Sequence, residues 1–86
     1  MAWKFDNDRS IYVQLVEQIK NRIMTGEYQP GSKLASVREL AGEAEVNPNT
    51  MQRALAALED VGLVHAVRTS GRFVTEDREM IEQLRR

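Results

Sequence analysis

Two helix-start signals fall close together in the middle of the chain. Ser36-Val37-Arg38-Glu39 matches the capping box, in which the serine hydroxyl accepts from the amide three residues on while the glutamate reaches back to the cap amide. Asn47-Pro48 is the second, because asparagine can cap free amides and proline suits the first helical position. The helix opened at Ser36 would bury Val37, Leu40 and Ala41, and the next would run to about Val61, before Gly62. Only a few residues can separate the two, so they are tightly coupled.

The flanking segments complete the plan. Residues 11–24 place Tyr12, Leu15, Val16, Ile19 and Ile23 at helical spacing, with Asp8 or Ser10 as N-cap and Gly26 just past the end. Residues 26–31, with two glycines and a proline, read as a turn. After Gly62 the period changes: Leu63–Val67 and Phe73–Thr75 predict a β-hairpin around a Ser-Gly turn, with the basic loop Arg68-Thr69-Ser70-Gly71-Arg72 between them. Glu76–Arg86 is helical again, with Met80, Ile81 and Leu84 on one side, which suits either the core or an intersubunit contact. The predicted fold is α+β, mainly α: a winged helix-turn-helix of three helices plus a β-hairpin wing, with a short C-terminal helix. Residues 1–75 would form the winged-helix domain and 76–86 a separate C-terminal helix, and the sequence leaves open a continuation past Arg86.

The length of 86 residues allows one small core. A domain this size buries only a little over ~60% of its unfolded surface, which points to oligomerisation. The absence of cysteine excludes disulfides and thiolate metal sites and fits a reducing compartment, so a cytoplasmic protein is expected. No apolar run suits a signal peptide or a membrane span, so no membrane partner is expected. The only histidine, His65, falls in a predicted strand, where a metal site or a Ser-His-Asp arrangement would lack partners. Neighbouring acids such as Glu43/Glu45 and Glu59/Asp60 read as solvated surface, and no phosphate-binding loop occurs. No catalytic residue, metal or cofactor is expected, and the chain does not read as an enzyme.

A helix-turn-helix with a wing presents its last helix to the major groove, whose width of ~12 Å admits one helix. Advancing ~100° per residue, Met51, Ala54, Leu55, Leu58, Val61 and Gly62 fall on one side, with Asn49, Gln52, Arg53 and Ala56 almost opposite. Asparagine and glutamine suit adenine, arginine suits guanine, and Ala56 lets the helix sit close to base edges. Asn47 and Thr50 at the helix start join this candidate DNA surface, Thr50 being placed for a phosphate. Arg38 can reach the backbone or a base from the preceding helix. Arg68 and Arg72, flanking Ser70 and Gly71, put a basic wing tip where a minor groove favours arginine and glycine allows close approach. A polar helix face is equally often plain solvated surface; three separate elements presenting arginine favour DNA.

These residues carry a resemblance. The run Gly26-x-Tyr28-x-Pro30-Gly31-x-x-Leu34-x-Ser36-x-Arg38-x-Leu40-Ala41, followed by Val46-Asn47-Pro48-Asn49-Thr50-Met51-x-Arg53-Ala54-Leu55-x-x-Leu58-Glu59-x-x-Gly62-Leu63-Val64, closely resembles the winged-helix domain of GntR-family bacterial transcriptional regulators. Ile11-Tyr12-x-Gln14 and Asn47-Pro48-Asn49-Thr50 look most like the YtrA-like subfamily, with Ser10 standing where a proline commonly precedes Ile-Tyr. The resemblance implies DNA contacts at Arg38, Thr50, Arg53 and Gly71. Gln52 and Pro48 depart from the basic residues some members carry, which bears on the operator sequence. It further implies a homodimer on a palindromic double-stranded DNA operator, repression, and a short dimerising C-terminal part; the effector pocket of larger relatives would have no residues here, and any small-molecule effector is unknown. The alternative is a winged helix used for protein–protein contact, since a fold alone does not fix function. The net charge of −1, with 12 basic and 13 acidic residues, predicts weak binding to random DNA, because non-specific affinity comes mainly from phosphate neutralisation.

Overall fold

A computed structural model describes residues 2–85. Helix α1 spans Ile11–Thr25. It opens where the Ser10 hydroxyl accepts from the Val13 amide at 3.1 Å, selecting Ser10 over Asp8 as cap. It closes at Gly26, which takes the left-handed conformation (φ 87°) that glycine adopts without Cβ strain. Helix α2 spans Val37–Ala44, with both halves of the Ser36/Glu39 capping box formed at 3.2 Å. Helix α3 spans Pro48–Asp60 and begins where Asn47 Oδ1 accepts from the Asn49 amide at 2.7 Å. Strands β1 (Val64–Val67) and β2 (Gly71–Val74) pair antiparallel, Val64 opposite Val74 and Val67 opposite Gly71. Helix α4 spans Arg78–Gln83, capped by Asp77. The described residues are mainly helical, forming four helices and one two-stranded hairpin.

The buried faces follow the helical periods. Leu15, Ile19 and Ile23 of α1 meet Met51, Ala54, Leu55 and Leu58 of α3, with Leu40, Ala41 and Ala44 of α2 and Leu63, Val64 and Val74 of the hairpin closing the core. Truncation of a side chain this deep, such as Leu58→Ala, costs ~2–5 kcal/mol. The core therefore fixes which face of α3 remains outside.

Several sequence expectations need correcting. Val61, expected inside, is 55% exposed because the helix has already ended there and Gly62 turns the chain away. The hairpin turn is Arg68-Thr69-Ser70 rather than Ser-Gly, closed by the Ser70 amide donating to Val67 O at 3.0 Å; Gly71 lies in β2. Residues after the 26–31 turn add a short edge to the wing, bridging Lys33 to Phe73, with Leu34 N–H donating to Arg72 O and Val74 N–H to Ser32 O, each at 2.9 Å. The C-terminal helix is shorter than Glu76–Arg86, Arg86 lying outside the described residues. Ile81 is buried in the domain's own core, as one of the two readings of this side had it, while Met80 and Leu84 pack half-buried against it. Among the described residues, no helix is long and apolar enough to cross a membrane.

The N-terminal segment was not foreseen to be ordered. It lies along α1 through paired side-chain amides. Gln14, itself buried, accepts from Asp6 N–H at 2.9 Å and donates to Asp6 O and Arg9 O. Gln18 repeats the pattern one turn later with the backbone of Lys4. Trp3 then lies over the guanidinium of buried Arg22, 3.7 Å from its ring centroid.

Candidate nucleic-acid interface

The burial of Met51, Ala54, Leu55 and Leu58 turns Asn49, Gln52 and Arg53 outward as one exposed stripe of α3, with Ala56 and Thr50 half-exposed beside it. The stripe offers amide donors and acceptors and a guanidinium, the groups able to match base edges in a major groove. Asn47 is exposed but already engaged as the cap of its own helix. Arg53 has a further contact: its guanidinium carbon sits over the Tyr12 ring of α1, 4.8 Å from the centroid.

Arg38 is exposed in the first turn of α2, beside the capping box. The Ser36 backbone amide, and then its hydroxyl, hold the Glu39 carboxyl below the usual carboxylate range. Glu39 thus stays ionised on a helix N-terminus, which favours negative charge. An open cleft of about 680 Å³ separates this helix start from the wing, with Lys33, Ser36, Thr69 and Ser70 among its walls.

At the wing tip Arg68, Thr69 and Ser70 are exposed. Gly71 adopts φ 114°, and a Cβ there would come within 3.1 Å of Lys33 Cε. The lysine therefore underlies the wing on the same side as the cleft. Arg72 is the misplaced expectation: it is not at the tip but in β2, where its Nε donates to Glu59 Oε1 at 2.9 Å and ties the wing to the end of α3. Of the hairpin's two arginines, Arg68 is the one at the tip. His65 is exposed on β1 and stacks on Phe73, 6.2 Å between centroids.

Sequence reasoning missed Lys33 and Tyr12 as parts of this surface. The alternation of Lys33 outward and Leu34 inward is too short to read as a strand. The helical spacing of Tyr12 groups it with the apolar side of α1 and does not reveal that it stays only half-buried.

The chain is similar to known proteins in both sequence and fold. Residues 11–74 match the family described as bacterial regulatory proteins, gntR family. The chain is 40% identical over 82 residues to the HTH-type transcriptional regulator YhcF of Bacillus subtilis, covering 95% of this chain and 68% of the relative. It is 40% identical over 67 residues to the HTH-type transcriptional repressor YtrA of the same organism, covering 78% of this chain and 52% of that one. In structure it is similar to a GntR family transcriptional regulator from Listeria monocytogenes, with a TM-score of 0.90, 51% identity and coverage of 94% of this chain and 71% of the other. The DNA-binding domain of AraR in complex with operator ORX1 matches with a TM-score of 0.73 at 28% identity, covering 84% of this chain and 93% of that one.

Proposed function

The chain belongs to the gntR family of bacterial regulatory proteins, and from that membership we propose a sequence-specific repressor that binds a palindromic operator as a homodimer in the cytoplasm. The observation that carries this reading is the exposed stripe Asn49, Gln52 and Arg53 on α3, together with exposed Arg38 on α2 and exposed Arg68 at the wing tip. In it, Arg53, Gln52 and Asn49 read base edges. Thr50, Arg38 and Arg68 contact the backbone or the minor groove, and Lys33, beneath the wing, joins them. Asn47 acts as the cap that aims α3, Ser70 and Gly71 shape the wing tip, and Arg72 holds the wing against α3 through Glu59. Repression is supported by the 40% identity to YtrA, itself named a repressor, and operator binding by the likeness to the operator-bound AraR domain.

Dimerisation is supported by apolar surface outside the core. Val61, Met80 and Leu84 line one shallow groove together with Leu63, at the end of the molecule formed by α4 and the close of α3. In a dimer bound to half-sites one turn apart, the two recognition helices lie ~34–36 Å apart.

Titration of selected and scrambled duplexes over a salt series tests the assignment. Arg53→Ala is expected to cost ~1–3 kcal/mol and to relax one base position, while Arg68→Ala weakens every sequence and lowers the salt slope by about one unit. Equal losses on all sequences for both variants would overturn it. A protein partner that survives Arg53→Glu, with no DNA sequence selected, would instead indicate a protein-docking domain.

A further inference from the structure

Arg53 differs from other arginines in what holds it. Arg9 donates to Glu17, Arg22 to Glu27 and Arg72 to Glu59, and Arg85 lies against Glu82. Arg22 meets the Trp3 ring as well as its carboxylate, whereas Arg53 lies over the Tyr12 ring and joins none of these ion pairs. The distinction matters for a base reader. A carboxylate partner occupies the in-plane N–H donors that a guanine edge would need, whereas a ring engages the guanidinium face and leaves those donors available.

We propose that Tyr12 is a positioning residue for sequence recognition, its ring holding the Arg53 side chain in the pose that meets a base. The inference rests on the base-reading role given to Arg53 above. Tyr12 is itself well fixed. It is the second residue of α1, half-buried against the core, two residues after the Ser10 cap. The chain entering that cap is held by buried Gln14, which bonds the backbone of Asp6 and Arg9. A long, rotamer-rich side chain loses entropy when a base fixes it, and a preformed contact reduces that loss. Tyr12 thereby links the N-terminal segment and α1 to the recognition face of α3.

The test uses the full chain, an operator recovered by selection, and a set of its single-base-pair variants. Tyr12→Leu keeps apolar bulk and removes the ring; Tyr12→Phe keeps the face. Tyr12→Leu is expected to lower discrimination by about 2- to 5-fold at the same base pair that Arg53→Ala relaxes. Tyr12→Phe retains discrimination, and Tyr12→Leu adds no further loss in an Arg53→Ala background. In the free wild-type protein, NMR relaxation of the Arg53 Nε–H is expected to show an ordered side chain with ring-current-shifted Hδ signals. Equal weakening on every sequence by Tyr12→Leu, losses additive with Arg53→Ala, or a disordered Arg53 side chain in the free protein would overturn the proposal while leaving base reading by Arg53 intact. If Arg53→Ala relaxes no position, base reading itself fails and the proposal falls with it.

Discussion

Thr69 sits at φ 69°, in the left-handed region where a β-branched side chain crowds its own backbone. A three-residue turn between paired Val67 and Gly71 requires one such residue, and threonine is a poor choice for stability alone. Thr69→Asn is expected to relieve strain of order 1 kcal/mol, read as a higher midpoint in thermal or urea unfolding. At the same scale the two hairpin arginines separate. Arg72→Ala breaks a partly buried ion pair with Glu59 and is expected to reduce stability by about 1 kcal/mol or less. Arg68→Ala, at the exposed tip, is expected to leave unfolding unchanged and to lower affinity for all duplexes in a salt-dependent way. Melting curves and binding isotherms on the two variants distinguish a strut from a phosphate or groove contact.

Among the elements, α2 depends most on its first turn. Its eight residues are too few to hold a helix by propensity, so the capping box and the burial of Leu40, Ala41 and Ala44 define it. Ser36→Ala is expected to cost ~1 kcal/mol. Glu39 gives the same turn a pH dependence. Its carboxyl is held low by the Ser36 amide, so its contribution is present above the ordinary carboxylate range and is lost as the pH falls through the lowered folded value. Glu39→Gln is expected to flatten the acid side of the melting temperature against pH, as circular dichroism melts can measure. Helix starts were legible in the sequence because caps are local: Ser10, Ser36 and Asn47 each bond an amide within three residues. The hairpin was legible from its change of period, but its turn was misread, because Ser70-Gly71 carries the usual turn residues while the left-handed position falls on Thr69. The edge at Lys33 was not legible, and the choice between core and intersubunit contact for Ile81 was left open. Both depend on contacts with residues distant in the chain: Phe73 for the first and α1 for the second. The outward stripe of α3 was readable because its opposite face is apolar at every helical repeat, whereas the Tyr12–Arg53 contact joins two helices and leaves no local trace.

At the scale of the whole molecule, a small core and near-neutral charge argue in the same direction. A domain of this size gains from association, and a net charge of −1 gives little hold on random DNA. In the proposed dimer, affinity comes from a matched site read by two subunits. The groove of Val61, Met80 and Leu84 is the surface through which that pairing is proposed. Leu84→Asp and the more exposed Val61→Asp are expected to shift sedimentation toward monomer and to weaken operator binding more than half-site binding. An unchanged association state in both variants would remove this face from the dimer. Selection of fragments from a genomic library by the pure protein, followed by sequencing, tests base reading by α3 most directly. The expected result is one enriched, two-fold-symmetric motif with half-site centres ~10–10.5 base pairs apart, whose preference Arg53→Ala erases at one position per half-site and Arg68→Ala leaves in place. No enriched motif, or the same motif recovered unchanged after Asn49, Gln52 and Arg53 are all replaced by alanine, would contradict it.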